Sequence, residues 1–200
     1  MSGSQRLGDE FAGEPGPQRL LDSMKKAAAA LGRSGIPFAL AGGAAAYARG
    51  AGPPAHDIDF VIGEQDADAA GKTLADCGMR IVHPPEGWLI KAYDGDSMLD
   101  LIFRLAGEPV TPALLQRAEE LEVAAVRVPV LRGTDLVLSW LRSFSEHHAD
   151  FASALTAVRP LREQVDWLAV REGCGGSPFA AAFLLLLERL QVIPPPEGGP

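Results

Sequence analysis

Cysteine and long apolar runs are both scarce in this chain of 200 residues. The two cysteines, Cys77 and Cys174, match neither the spacing of a metal site nor a disulfide framework, which favours a reduced, cytoplasmic protein. The most apolar stretch, SPFAAAFLLLLERL, is too short to span a bilayer and therefore predicts a buried helix. The N-terminal segment has no apolar run of the kind that signal peptides contain.

Positively charged residues are also fewer than negatively charged ones. The chain has 18 Lys and Arg residues against 26 Asp and Glu residues, so the net charge is −8. This charge opposes broad electrostatic binding of nucleic acid, although it leaves room for a local basic groove. Hydrophobic residues make up 47% of the chain, which is typical of a globular protein of one domain, or of a small core with an appended lobe.

Several catalytic motifs are missing. No serine lies in a Gly-x-Ser-x-Gly elbow, and neither cysteine has a convincing histidine partner, so we discount a hydrolase. The Gly-x-Gly-x-x-Gly fingerprint of dinucleotide-binding proteins and the Gly-Lys-Ser/Thr of a Walker loop are also absent.

The chain reads as an α/β half followed by an α half. We predict a core over 18–132, a helical lobe over 133–193, and disordered ends at 1–17 and 194–200. The predicted helices cover 18–33, the segment that begins with AAAYAR, 66–77, Thr111 to about Leu121, 134–145, 147–157, 160–171 and 178–191. The predicted strands are GIPFAL, HDIDFVI, MRIVH, WLIKAY, SMLDLIFRL and VAAVRVPVL. The DGD between the fourth and fifth strands predicts a hairpin turn, and Pro129 predicts an edge position for the last strand.

Two carboxylates interrupt an apolar strand in the segment HDIDF. Because side chains alternate along a strand, Asp57 and Asp59 share one face while Ile58 and Phe60 share the other. Asp100 lies inside another apolar strand, SMLDLIF. Three converging acids repel one another, and divalent metal ions are the usual way to hold them together. Taken singly, each acid would also fit an exposed strand end or a pair with an arginine.

A pair of glycines, Gly42 and Gly43, lies between a predicted strand and a predicted helix upstream of these acids. Backbone N–H groups at such a position favour a phosphate group, and glycine lets it approach closely. The pair alone would equally fit a plain tight turn.

The whole pattern resembles the nucleotidyltransferase superfamily that includes DNA polymerase β. The pattern is a strand, Gly-Gly, a helix, Asp-Ile-Asp thirteen residues after the glycines, and a third Asp on a separate strand. The similarity covers about 35–105 and extends to a minimal bacterial branch with abortive-infection toxin-type nucleotidyltransferases. The helical tail is similar to that of uncharacterised actinobacterial members. The resemblance implies an α/β (α+β) fold, with a mixed β-sheet core, flanking helices and a C-terminal helical region.

The resemblance also implies a reaction and roles for the residues. Gly42 and Gly43 would cradle the triphosphate of an NTP such as ATP, and Asp57 and Asp59 would coordinate two Mg²⁺ ions. Asp100 would complete the metal site that carries the attacking hydroxyl. The expected reaction transfers a nucleoside monophosphate to a hydroxyl of a tRNA, a protein or a small molecule and releases pyrophosphate. A cognate antitoxin is an expected partner.

The sequence departs from the family at Trp140, where many relatives carry a lysine that contacts the nucleotide phosphates. Lys91 or Arg142 would substitute, although Lys91 also fits a solvated strand residue. His56 fits either a phosphate contact or a loop residue. This departure motivates an alternative, a nucleotide- or partner-binding protein of the same fold with weak or no transfer.

The segment EHHAD (146–150) places two histidines beside two acids. His147 and Asp150 would share a helix face, which allows a metal site or a substrate contact. Because a transition-metal site needs a third ligand in good geometry, a solvated helix start is the simpler interpretation.

Overall fold

A mixed sheet of seven strands forms the centre of the structure, a computed structural model that describes residues 16–196. The helices are α1 (Pro17–Ser34), α2 (Gly42–Ala48), α3 (Ala67–Asp76), α4 (Pro112–Gln116), α5 (Gly133–Ser143), α6 (Phe151–Leu161), α7 (Trp167–Gly173) and α8 (Pro178–Arg189). The strands are β1 (Phe38–Leu40), β2 (Asp57–Ile62), β3 (Arg80–Val82), β4 (Leu89–Asp94), β5 (Ser97–Ile102), β6 (Arg104–Leu105), β7 (Glu108–Pro109), β8 (Glu119–Val123) and β9 (Val126–Val130).

The strand order in the sheet is β3-β4-β5-β2-β1-β9-β8. The β2–β5 and β1–β9 pairs are parallel, and the other neighbours are antiparallel. The predicted α/β fold with a mixed sheet and flanking helices is therefore confirmed. In the part of the chain that the structure describes, no helix is both long enough and apolar enough to cross a bilayer.

The two faces of the sheet are covered to different extents. Ile58 and Phe60 of β2 are fully buried in the main core beneath α1 and α3. On the opposite face, Val61 of β2 and Ile102 of β5 pack under the segment 103–118, which contains the small β6–β7 hairpin and α4. This smaller cover lies over the ends of β2 and β5, whereas Asp57 and Asp59 at the start of β2 are half-buried.

The region 111–131 differs from the prediction. The helix that begins after Thr111 ends at Gln116, and the chain then forms two antiparallel strands joined at Ala124 and Ala125. The predicted edge position of Pro129 is wrong, because β9 lies between β1 and β8. The three-residue β1 pairs with β9 only at Val130, so the ladder between these two strands does not extend to Pro129.

The C-terminal helices are present, with shifted boundaries. The side chain of Asp150 caps α6, which begins at Phe151 rather than at 147. Asp166 caps α7 in the same way, and a short 3-10 turn (Arg162–Gln164) precedes it, so the helix predicted from 160 begins at Trp167. The first helix, predicted over 18–33, spans Pro17–Ser34 in the structure, so it begins one residue inside the end predicted to be disordered. Of the predicted disordered ends, residues 1–15 and 197–200 lie outside the described residues.

A buried arginine joins α2, the sheet and the helical region. The Arg49 Nε donates to the Leu131 carbonyl at 2.7 Å, and its Nη2 donates to Glu119 Oε2 at 2.9 Å. Its Nη1 donates to Gln164 Oε1 at 3.2 Å, and Gln164 Nε2 donates in return to the Arg49 carbonyl at 2.9 Å. Only 8% of Arg49 is exposed, so these partners replace the water that the guanidinium has lost.

We expect Arg49→Met to lower the free energy of unfolding by about 3 kcal/mol, because it leaves the Leu131 carbonyl without this donor and removes one of the two arginines that bind Glu119. Urea unfolding followed by circular dichroism measures this loss. Arg19→Met is the matched control, since Arg19 and Asp96 are 4.0 Å apart with side chains 74% and 56% exposed. That control should stay within about 0.5 kcal/mol of the wild type. Equal losses in the two variants would contradict a structural role for the Arg49 junction.

Candidate active site

Three carboxylates converge on the half-covered face of the sheet. Asp57 and Asp59 lie on β2, and Asp100 lies on the neighbouring parallel strand β5, directly opposite Asp59. One oxygen from each of the three side chains lies within 4.8 Å of the others. We call these three residues the acid triad. The predicted convergence is present in the structure, while the catalytic and metal-binding roles stay predictions.

The local sequence explains why the acids meet. Ile58 and Phe60 are drawn into the core, so the alternation of side chains turns Asp57 and Asp59 to the other face. In β5, Leu99 and Leu101 are buried in the same core and turn Asp100 to the face of the acids. A shift of either strand by one residue would bury a carboxylate in the apolar core, which fixes the register.

Burial and mutual repulsion shift the pKa values of Asp59 and Asp100 in the acid triad. Loss of water around Asp59, together with the negative charges of Asp57 and Asp100, raises the pKa of Asp59 to about 7. Burial also raises the pKa of Asp100, and hydrogen bonds from Lys91 oppose this rise. The site is therefore a place where negative charge is costly and where a cation is favoured.

Lys91 supplies one such cation. It lies on β4 opposite Asp100, and its Nζ is 3.1 Å from each of the two Asp100 carboxylate oxygens. The same Nζ is 3.5 Å from Met98 Sδ. Lys91 is thus an ion-paired residue of the site rather than a solvated strand residue. Its predicted contact with the nucleotide stays a prediction.

The glycine turn touches the acid triad from the other side. Gly42 has a φ of +52°, and a Cβ atom added to it would overlap the Asp59 carboxylate. The Ala41 N–H, just before the turn, donates to the Asp59 carbonyl at 2.9 Å. At Gly43 an added Cβ would meet nothing closer than Pro54 Cβ at 4.0 Å. Only glycine fits at position 42, because a side chain there would displace the acid.

An open groove of about 480 Å³ begins at Gly43. The loop 51–55 forms one wall, and α6 forms the other with Ser153 and Thr156. The groove therefore runs away from the glycine turn between α2 and the helical region, which pack against each other.

Three further residues were considered for the site from the sequence, namely His56, Trp140 and Arg142. His56 is exposed and directly precedes β2. Trp140 is partly buried in α5 and packs against the main core. The Arg142 Nε donates to the Gly173 carbonyl at 2.9 Å, which ties this side chain to the end of α7. The structure thus engages Arg142 in holding two helices together.

The segment 146–150 is a turn that ends in Asp150, the cap of α6. The backbones of Ser145 and His148 bond to each other, and Asp150 Oδ1 accepts from the N–H groups of Ala152 and Ser153, each at 3.1 Å. Among residues 16–196, the acid triad is the one group of three His, Cys, Asp or Glu side chains found close enough to share a metal ion. Because α6 begins at Phe151, the prediction that His147 and Asp150 share a helix face is wrong, while the helix start itself lies directly after this segment.

Two contacts of the site were not predicted, although the sequence contains a signal for one of them. The predicted hairpin at DGD pairs Asp94 with Ser97, and counting back along this register places Lys91 opposite Asp100. No such sequence signal exists for the Gly42–Asp59 contact, since β1 and β2 become neighbours only in the folded sheet.

We expect Gly42→Ala to lower the free energy of unfolding by about 1–3 kcal/mol and to weaken Mn²⁺ binding, because the new Cβ displaces Asp59 and the residue keeps a positive φ. Gly43→Ala is the matched control, and its stability should equal that of the wild type. Urea unfolding and calorimetric titration with Mn²⁺ measure the two effects. Wild-type behaviour of Gly42→Ala in both assays would show that the turn does not constrain Asp59.

A second prediction concerns pH in the absence of metal. The pKa of Asp59 is about 7 in the folded protein, and it is ordinary in the unfolded chain, so the proton on Asp59 stabilises the fold at low pH. This contribution is lost as the pH rises towards and through 7. Between pH 5 and pH 8, we expect the wild type to lose about 2 kcal/mol of stability relative to Asp59→Asn, which cannot titrate. Urea unfolding in EDTA tests this, and a constant difference between the two proteins at all pH values would contradict it.

Comparisons with known proteins agree with this geometry. By sequence, no protein with a curated function matches the chain. Among solved structures, ANT(2″)-Ia in complex with adenylyl-2″-tobramycin is similar at a TM-score of 0.59 and 16% identity, over 83% of this chain and 97% of that one. The solution structure of the antibiotic-resistance factor ANT(2″)-Ia has a TM-score of 0.58 and 18% identity, with coverage of 88% and 96%.

The lincosamide antibiotic adenylyltransferase LnuA, bound to lincomycin, is similar at a TM-score of 0.53 and 13% identity, over 74% of this chain and 98% of that one. At these identities the likeness shows a shared fold. A protein family described as "uncharacterised nucleotidyltransferase" matches residues 17–191. Since this match spans most of the chain, the protein belongs to that family and is an enzyme of the nucleotidyltransferase type.

Proposed function

We propose that the protein transfers a nucleoside monophosphate from an NTP to a hydroxyl acceptor and releases pyrophosphate, in a reaction that depends on a divalent metal. The observation that carries this proposal is the acid triad lying against the glycine turn at Gly42. The arrangement offers carboxylates for metal ions next to a backbone that a phosphate group can approach closely.

The chemistry of the side chains fits Mg²⁺. Three carboxylates with oxygens within 4.8 Å of one another form a hard, anionic oxygen site, which is the type that Mg²⁺ prefers over softer nitrogen and sulfur sites. The raised pKa of Asp59, which burial and the charges of Asp57 and Asp100 cause, supports the same assignment, because a bound cation offsets the cost of negative charge there. When bound, two such ions neutralise the phosphates and polarise the attacking and leaving oxygens.

Each residue then has a distinct role in the proposal. Asp57, Asp59 and Asp100 would hold the metal ions, and the backbone of Gly42 and Gly43 receives the triphosphate. Asp100 also faces the acceptor and takes the proton from its hydroxyl as the oxygen attacks the α-phosphorus. The bond between the α- and β-phosphates breaks, and pyrophosphate leaves. Positioning and charge neutralisation supply most of the acceleration in this type of reaction.

The candidate acceptors are a tRNA end, a protein side chain and a small molecule, with ATP as the candidate nucleotide. The similar structures include an adenylylated tobramycin complex and a lincosamide adenylyltransferase, which favours the small hydroxyl-bearing molecule. A cognate antitoxin stays a prediction. The alternative of nucleotide binding without transfer rested on Trp140 alone, whereas the assembled triad favours transfer.

Binding of nucleotide and metal tests this function first. We expect Mg²⁺ and ATP together to raise the melting temperature by about 5–10 °C at saturating ligand, and either alone to raise it much less. Asp57→Asn should lose this synergy and stay folded. Asp100→Asn should keep much of the ATP affinity and lose transfer of label from α-³²P-ATP, because its contact matters mainly in the transition state.

Asp96→Asn is the matched control, since Asp96 is an exposed acid near Arg19 and outside the triad. It should behave as the wild type in both assays. Metal-dependent ATP binding by Asp57→Asn at the wild-type level would refute the metal site, and wild-type transfer by Asp100→Asn would remove Asp100 from the chemistry. Other NTPs are titrated in parallel to identify the preferred nucleotide.

A further inference from the structure

The Lys91 ammonium group occupies the part of the acid triad that lies farthest from the glycine turn. Across the sheet, Asp59, Asp100 and Lys91 stand in one row on β2, β5 and β4. Gly42 touches Asp59 at one end of this row, and Lys91 binds Asp100 at the other end. The end at Gly42 is the one that receives the triphosphate in the proposed function, and the opposite end already holds the positive charge of Lys91.

The Lys91–Asp100 contact is an enclosed ion pair. The Nζ is equidistant, at 3.1 Å, from both carboxylate oxygens, and the two side chains are only 27% and 10% exposed. An ammonium group in this position binds both oxygens through which Asp100 would hold a metal ion and therefore competes with that ion. It also repels a dication placed among the three carboxylates.

We propose that Lys91 is an internal counterion of the acid triad that keeps the Asp100 end closed to metal until a nucleotide binds. This inference rests on the proposed function. In the free protein, Lys91 offsets part of the charge that the triad carries. A bound triphosphate adds negative charge at the Gly42 end, which favours further cations in the site and makes Lys91 dispensable as a counterion.

The consequence is that the nucleotide binds before a metal ion reaches Asp100. Without nucleotide, a divalent ion has to compete with Lys91 for Asp100 and therefore binds weakly. With nucleotide, the added phosphate charge outweighs the single ammonium group, and the metal reaches Asp100. Lys91 is then a positioning residue, since it acts through Asp100 and the metal rather than on the reacting atoms.

A second Lys–Asp pair in the same protein serves as the comparison. The Lys26 Nζ is 2.6 Å from Asp94 Oδ1, and Asp94 also accepts a hydrogen bond from Ser23 of α1. This pair joins α1 to the end of β4 and includes no member of the triad. Removing its lysine removes a positive charge of the same kind from outside the site.

The test is titration of the full chain with Mn²⁺, followed by electron paramagnetic resonance of the free ion, with and without a non-hydrolysable ATP analogue. Without nucleotide, we expect Lys91→Gln to bind Mn²⁺ about tenfold more tightly than the wild type, the effect of a single charge some 5 Å from a dication in a water-like dielectric. Lys26→Gln should match the wild type. With the analogue present, the gap between Lys91→Gln and the wild type should shrink to less than threefold.

Lys91→Arg separates charge from packing, because it keeps the positive charge and should bind Mn²⁺ no more tightly than the wild type. Lys91→Met is measured beside Lys91→Gln, so that poor folding of one neutral variant leaves the other to decide. Neutral variants that stay within threefold of the wild type without nucleotide would overturn the counterion role. Tight binding by Lys91→Arg, or an undiminished gap with the analogue, would overturn it as well.

Failure of the inference and failure of the proposed function give different results. If the wild type binds the Mn²⁺–analogue complex and Asp57→Asn does not, the metal site stands, and the Lys91 variants alone decide the inference. If Asp57→Asn and the wild type bind Mn²⁺ equally, with or without the analogue, the proposed metal site fails and the inference falls with it.

Discussion

The parallel pairing of β2 with β5 is the constraint on which the candidate active site depends. It places Asp59 directly beside Asp100, two residues that are 41 positions apart in the chain. The apolar side chains that alternate with these acids, including Ile58 and Leu99, are fully buried and hold the register. The hydrophobic core therefore imposes close approach on three carboxylates that would otherwise repel one another.

Partial coverage of the sheet makes this arrangement tolerable. The face that carries the acids is closed over Val61 and Ile102 by the segment 103–118, and the start of β2 is left half-buried. Full coverage would make three charges prohibitively costly, while full exposure would give a metal or a phosphate little to hold it. The raised pKa of Asp59 and the ion pair of Asp100 with Lys91 both follow from this intermediate burial.

The glycine turn and the Arg49 junction connect the site to the rest of the molecule. Gly42 begins α2 against Asp59, and Arg49 follows the end of the same helix and bonds to the Leu131 carbonyl and Gln164. One short helix thus links the acid triad to the sheet edge and to the helical region. The groove that starts at Gly43 lies along this link, so the position of α6 shapes the space next to the turn.

The sequence by itself determined the acids, their faces and the glycine turn, because alternation in a strand and the demands of glycine are local properties that Asp57, Asp59 and Gly42 display directly. It also determined that β-strands precede a helical region. Only the tertiary structure decided that residues 119–123 pair as a strand with β9, since this pairing overrides the local helical pattern after Thr111. It likewise decided that Gly42 touches Asp59, because this close approach depends on β1 and β2 becoming neighbours in the folded sheet. The Lys91–Asp100 pairing, in contrast, follows from the register of the local DGD hairpin.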